Sequence, residues 1–338
     1  MKKQLISIVI PVRNEEQNIP LVYEGIAQAL RSASNYDYEF IFVDDGSDDA
    51  SLAAIEKLTR IDPRVKLVEF VRNFGKEMAT TAGVEAARGA AVMLIDADLQ
   101  HPPSLIPEFI KKWEQGGEAV VGIRRNNPGA GLIKGAGSWL FYAITAHISQ
   151  TAMEPGETDF RLLDRIVADA FKSFPERRRT TRFLVNWLGF KKAHVYFDAP
   201  RRIHGASQFS FGKLVHMALY SFVSNSLLPL RLAGYLGLTI AILAGVLGLV
   251  VFFERYVFND ALKWGISGSA QLAIIDVFLI GIVLMALGIM ALYIENIHVE
   301  AAARPLYVVR KRVNFEVPSS SRLGYYDPAD HDSAASSS

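Results

Sequence analysis

Cysteine is absent from the 338 residues. That excludes disulfides and thiolate metal sites and leaves oxygen or histidine as metal ligands. An excess of either charge is lacking too. Lys and Arg total 36 against 35 Asp and Glu, a net charge of +1, so no global basic field draws the chain to nucleic acid. No Gly-x-Gly-x-x-Gly follows the first strand-like run, which argues against a dinucleotide fold, and no Gly-x-x-x-x-Gly-Lys-Ser/Thr is present, so a P-loop is out. The apolar run Leu5–Ile10 is too short for a signal-peptide core and meets Pro11, so no secretory signal is expected. A nucleotide held by carboxylates and a metal ion, without a glycine cradle, remains open.

What is present is centred on Ala91–Ile95, a run that reads as a buried strand and breaks into Asp96-Ala97-Asp98-Leu99-Gln100. If the extended geometry persists, Asp96 and Asp98 point to one side. Two carboxylates and the Gln100 amide oxygen at a strand end suit a hard divalent cation, which could hold a diphosphate. The bland alternative is a loop whose aspartate caps the next helix. His101, beside this motif, reads as a loop residue.

The first half alternates strand-like and helix-like runs. Strands are expected at Leu5–Ile10, Tyr38–Val43, Val65–Phe70, Ala91–Ile95 and Ala119–Val121. Helices are expected to about Ala33, through about Arg60, to about Arg88 and near Pro103–Gln115. This rhythm implies an α/β fold with a mostly parallel sheet and right-handed crossovers. Asn14, Glu15, Asp44, Asp45, Arg72, Asp96 and Asp98 then gather on one rim of strand ends.

Cations follow. Arg124 ends a strand beside that rim, and Lys134 and Ser138 lie one turn apart on an expected helix. Arg177, Arg178, Arg179, Arg182, Arg201 and Arg202 come later; guanidinium groups suit phosphate as bidentate donors. For Arg178 and Arg179 a solvated basic face is the plainer reading. No Ser-His-Asp order or other nucleophile–base pairing appears on this rim.

Several blocks resemble family 2 glycosyltransferases of the GT-A type, in the polyprenyl-phosphate branch. They are Val9-Ile10-Pro11-Val12-x-Asn14-Glu15-Glu16, Val43-Asp44-Asp45-Gly46-Ser47, Arg72-Asn73-Phe74-Gly75-Lys76, Asp96-Ala97-Asp98-Leu99-Gln100-x-Pro102-Pro103, Asp159-Phe160-Arg161-Leu162-Leu163-Asp164-Arg165 and Pro175-Glu176-Arg177. Two stretches depart from the family pattern. Glu157-Thr158 precedes Asp159 where Thr-Gly is usual, and Gly205-Ala206-Ser207-Gln208-Phe209 stands where Gly-x-Ser-Lys-Tyr is usual.

The resemblance implies a GT-A, Rossmann-like catalytic domain. It implies inverting transfer of a sugar from a nucleotide-diphosphate sugar, UDP-glucose first among them, to the phosphate of undecaprenyl phosphate. Pro11, Val12, Glu15, Asp44 or Asp45, Lys76, Asp96 and Ala97 would hold the donor. Asp96, Asp98 and Gln100 would hold Mg²⁺ or Mn²⁺. Asp98, Asp159 and Arg124 would be catalytic, with Asp159 facing the donor sugar. Arg124, Lys134, Ser138, Arg202 and Ser207 would hold the acceptor phosphate. A polysaccharide synthase would normally carry Gln-x-x-Arg-Trp, which is absent. A nucleotide-sugar binder without turnover is the other rival.

From residue 211 the composition turns apolar. Residues 211–230 read as an amphipathic helix at a bilayer surface, with Lys213, His216, Ser221 and Asn225 among apolar positions. Two transmembrane helices are expected, at about 232–253 and 272–294, within 231–296. Arg231 before them and Arg304, Arg310, Lys311 and Arg312 after them place both flanks in the cytoplasm. Gly234, Gly237, Gly245 and Gly248 could allow close packing into a dimer or tetramer. The expected division is a catalytic domain 1–210, the interfacial helix, the spans, and a juxtamembrane segment 297–338 ending in a disordered Ser/Ala-rich tail.

Overall fold

The computed structural model describes residues 3–125, 154–177, 179–198 and 268–315, with isolated positions 235, 239, 240, 242, 243, 246, 253, 325 and 326. The chain divides into two compact units, one formed by 1–207 with 303–338 and the other by 208–302.

In the first unit, β1 (Gln4–Val12), α1 (Asn18–Leu30), β2 (Tyr36–Asp44), α2 (Ser51–Ile61), β3 (Val65–Phe70), α3 (Lys76–Ala86) and β4 (Ala91–Leu94) alternate as the apolar runs imply. Then come α4 (Ile106–Glu114), β5 (Ala119–Arg124), β6 (Glu157–Asp164), α5 (Arg165–Lys172), α6 (Thr181–Trp187), β7 (Lys192–Phe197), β8 (Tyr307–Val313) and β9 (Tyr325–Tyr326). The strand order is β7-β5-β6-β4-β1-β2-β3-β8-β9.

Strands β4, β1, β2 and β3 run parallel, joined by helices that cross over the sheet. Strand β6 is antiparallel to β4 and β5, and β8 is antiparallel to β3, so the sheet is mixed at both flanks. Burial on both faces explains the continuous apolar runs. Ile8, Ile10 and Phe42 pack with α1 and α4 on one face; Val9, Ile41 and Val43 pack with α3, α5 and α6 on the other. Helix α3 lies so close to β1 that a Cβ on Gly83 would stand 2.1 Å from Val9 Cγ1.

Chain order reverses at β1, because β2 and β3 lie on one side of it and β4 on the other. The crevice beyond the carboxyl ends of β1 and β4 is where such sheets bind ligands.

The C-terminal segment contributes to this sheet. Tyr307 is 1% exposed and stacks on Phe70 with ring centroids 4.9 Å apart. Arg310 and Lys311, offered above as flanks of a membrane span, meet Glu69 at 3.2 Å and Glu56 at 2.8 Å.

The second unit contains α7 (Gly268–Ala301). Here the expectation of two transmembrane helices is corrected: among the described residues, no helix is long and apolar enough to cross a membrane. The second expected span falls within α7, where Asp276 and Glu295 bracket the apolar run. The first expected span lies mostly outside the described residues, as do the interfacial helix 211–230 and the four glycines.

Candidate active site

The site begins with how β4 ends. Ordered strand stops at Leu94, and the chain turns at Ala97 and Asp98, with Leu99 in a left-handed conformation (φ 59°). The extended geometry expected through Asp98 therefore does not persist, because Asp98 Oδ1 accepts the Gln100 N–H at 3.1 Å and closes the turn. Asp96 is anchored from behind. Its backbone N–H donates to His101 Nδ1 at 3.2 Å, and His101, 3% exposed, stacks on Phe160 at 5.1 Å. Burial pushes the His101 imidazole below its ordinary pKa, with Lys76 adding to that effect and Asp96 opposing it. The neutral ring accepts through Nδ1 and carries its proton on Nε2. His101, expected as a plain loop residue, is a buried support of the motif.

A second aspartate, Asp45, is turned inward. Asp45 is 3% exposed and accepts the N–H groups of Phe74 (2.7 Å) and Gly75 (2.9 Å). Burial raises its carboxyl above the ordinary value, against those backbone bonds. It thus positions the loop into α3. Asp44, also buried, accepts from Ser47 and stands in register with Val12. Gly46 needs its φ of 64°, and a Cβ there would meet the Arg72 backbone at 2.5 Å. Glu15 accepts from Asn18 Nδ2 at 2.5 Å, and its own N–H donates to Ser51 Oγ.

Helix α3 then presents Lys76. Its ammonium lies 2.7 Å from Asp96 Oδ1 and 2.9 Å from Asp159 Oδ2, and Asp159 comes from β6. The other oxygen of Asp159 accepts from Arg182 Nε and Nη2 at 3.2 and 3.0 Å. Burial would raise the Asp159 carboxyl, yet Lys76 and Arg182 hold it far below the usual carboxylate range. Loss of water around the ammonium would lower Lys76, and the two aspartates outweigh that and raise it. Arg182 is positioned by Glu77, whose Oε2 accepts both the N–H (2.8 Å) and hydroxyl (2.6 Å) of Thr181 at the start of α6.

Pro11, Lys76, Asp96 and Asp159 line one cleft with Glu77 and Thr181. Arg124 ends β5, and its Nη2 donates to Gln100 Oε1 at 3.3 Å, tying that cation to the aspartate loop. Ala97 is buried. Lys134, Ser138, Arg202 and Ser207 lie outside the described residues, as does Arg178. Arg179 is buried near Glu85 (3.7 Å) and does not form the solvated face expected of it. Sequence reasoning gave no role to Glu77 or His101, whose partners are set by packing; Arg182 stood only as one cation in a basic run.

The model of glycosyl transferase family 2 matches residues 7–169. A prophage bactoprenol glucosyl transferase homolog of Escherichia coli is 35% identical over 306 residues, covering 90% of this chain and 98% of that protein. The chain belongs to glycosyl transferase family 2. The bactoprenol glucosyl transferase of Shigella phage SfII is also 35% identical, over 90% of this chain and 97% of its own. An uncharacterized glycosyltransferase of Bacillus subtilis, YkcC, is 37% identical over 92% of this chain and 94% of its own. A glucosyl-3-phosphoglycerate synthase from Mycobacterium tuberculosis, solved with Mn²⁺, UDP-glucose and phosphoglyceric acid, is similar at a TM-score of 0.46. It is 20% identical and covers 65% of this chain and 78% of that one. In this family 2 glycosyltransferase the carboxylates, the lysine and the arginines thus converge from β4, α3, β6, α6 and β5.

Proposed function

We propose that this glycosyltransferase moves a hexose from a nucleotide-diphosphate sugar to the phosphate of a polyprenyl lipid, with inversion, at the cytoplasmic face of a membrane. The observation that carries the reading is the double ion pairing of Asp159 by Lys76 and Arg182. A hydroxyl acceptor calls for a general base with a pKa near the working pH. Asp159, held ionised by two cations, is a poor one. A phosphate monoester needs none, since its second pKa is about 6 and its oxygen is already an anionic nucleophile. The names of the bactoprenol glucosyl transferase relatives support the same acceptor.

Pro11, Val12, Glu15 and Asp44 stand at the strand ends where base and ribose would lie, and Asp45 keeps the adjoining loop in place. Asp96, Asp98 and Gln100 offer only oxygen, the donor set for Mg²⁺ or Mn²⁺. Among the described residues no three acidic or histidine side chains form a metal cage. An ion of the Mg²⁺ kind is usually held by one or two carboxylates together with substrate phosphates. When bound, the ion would supply charge neutralisation to the leaving diphosphate. Asp159 would orient Arg182 beside the donor sugar. Arg124 would bind the acceptor phosphate, steadied by Gln100, with Lys134, Ser138, Arg202 and Ser207 expected beside it.

The donor is the open choice, and UDP-glucose heads it. The full chain would be given undecaprenyl phosphate and a panel of labelled nucleotide sugars. Label should pass to the lipid fraction from one donor far above the others. Donor hydrolysis alone, with no labelled lipid from any sugar, would overturn the reading.

A further inference from the structure

One cation already rests on a carboxylate that the proposed metal ion would need. Lys76 Nζ is 2.7 Å from Asp96 Oδ1, on the loop after β4, and 2.9 Å from Asp159 Oδ2, on β6. The Lys76 side chain is 46% exposed, so its tip can swing without disturbing the core. Helix α3 is held instead by Ala79, Ala82 and Val84. Each aspartate keeps another anchor when the ammonium leaves. Asp159 retains Arg182, and the backbone of Asp96 retains His101.

We propose that Lys76 is an exchangeable counter-ion: it neutralises Asp96 and Asp159 before the donor arrives, then passes to a phosphate oxygen of the donor diphosphate as the divalent cation takes Asp96. This deepens the reading above and rests on its metal assignment. The physical basis is that an ammonium and a divalent cation repel one another strongly when they share one carboxylate. With a diphosphate present, the added negative charge gives both cations a partner. Lys76 therefore opposes the metal ion alone and favours the metal ion with its diphosphate. Removing the ammonium should move those two affinities in opposite directions, which loss of a merely structural ion pair would not do.

The test is calorimetry on the full chain with Mn²⁺ alone, then with inorganic pyrophosphate added to the Mn²⁺-loaded protein. Lys76→Gln should bind Mn²⁺ more tightly than wild type, by about fivefold or more. It should bind pyrophosphate about tenfold more weakly, having lost one charge-assisted contact. Lys76→Met, which keeps most of the stem, should likewise bind Mn²⁺ more tightly and pyrophosphate more weakly, and serves if the glutamine variant does not fold. Lys76→Arg, which keeps the charge, should not gain Mn²⁺ affinity. Unchanged or weaker Mn²⁺ binding in Lys76→Gln and Lys76→Met overturns the proposal, as does no binding in any protein. Asp98→Asn separates the two layers. If it binds Mn²⁺ as wild type does, the metal assignment has failed. If it loses Mn²⁺ while the Lys76 variants gain nothing, only the counter-ion proposal has failed.

Discussion

Glu157 lies two residues before Asp159 on β6 and is 3% exposed. Its Oε2 accepts from Arg161 Nη2 at 3.0 Å and Asn186 Nδ2 at 2.8 Å, and Arg161 is fully buried. Burial would raise the Glu157 carboxyl, but Asn186 and Arg161 together hold it below its ordinary value. The folded state therefore binds fewer protons here than the unfolded state as pH falls. The stabilisation is present above the unfolded carboxylate pKa, about 4.3, and is lost as pH drops through the lower folded value. Glu157→Gln leaves Arg161 buried without its charge partner, so it should cost on the order of 3 kcal/mol at pH 7. Denaturant unfolding of both proteins from pH 7 to pH 3 should show that gap closing below about pH 4.3. A gap that stays constant with pH would contradict the assignment. The departure from the family pattern at this position is thus a buried charge pair on the strand that carries Asp159.

At the scale of elements, α3 and β8 carry the most information. Helix α3 begins at Gly75, whose φ of 100° turns the chain into the helix, and its first two residues supply Lys76 and Glu77 to the site. Strand β8 closes the β3 edge. Tyr307→Ala would remove a ring stacked on Phe70 and a hydroxyl that donates to Glu85 on α3. A buried aromatic cut to alanine costs about 3–5 kcal/mol. The melting temperature of the full chain should fall accordingly, whereas an unchanged value would mean that this segment does not belong to the sheet.

The central strands were legible because two-sided burial writes itself as continuous Ile, Val and Phe. Strand β8 was not. Tyr307-Val308-Val309-Arg310-Lys311-Arg312 reads locally as a basic flank, and only the distant Glu56 and Glu69 turn its charges into sheet-edge partners. The aspartates, Lys76 and Arg124 were visible as motifs. The supports around them were not, because no local pattern links Glu77 to Thr181 or His101 to the Asp96 backbone across a fold.

On the scale of the whole molecule, the apolar second half misled the sequence reading. Two membrane spans were expected there, and among the described residues no helix is long and apolar enough to cross a membrane. The acceptor assignment stands on the cleft and not on that half. It rests on Asp159 being paired with Arg182 throughout and with Lys76 until the donor arrives, which suits an acceptor that arrives ionised. The most direct measurement gives the full chain one competent nucleotide sugar and compares undecaprenyl phosphate with undecaprenol, the same lipid ending in a hydroxyl. The account predicts transfer to the phosphate, rising with pH through about 6 as the second proton leaves and then levelling, with transfer to the alcohol lower by at least roughly a hundredfold. Comparable transfer to the alcohol would contradict it, because Asp159 or another group would then have to act as the base.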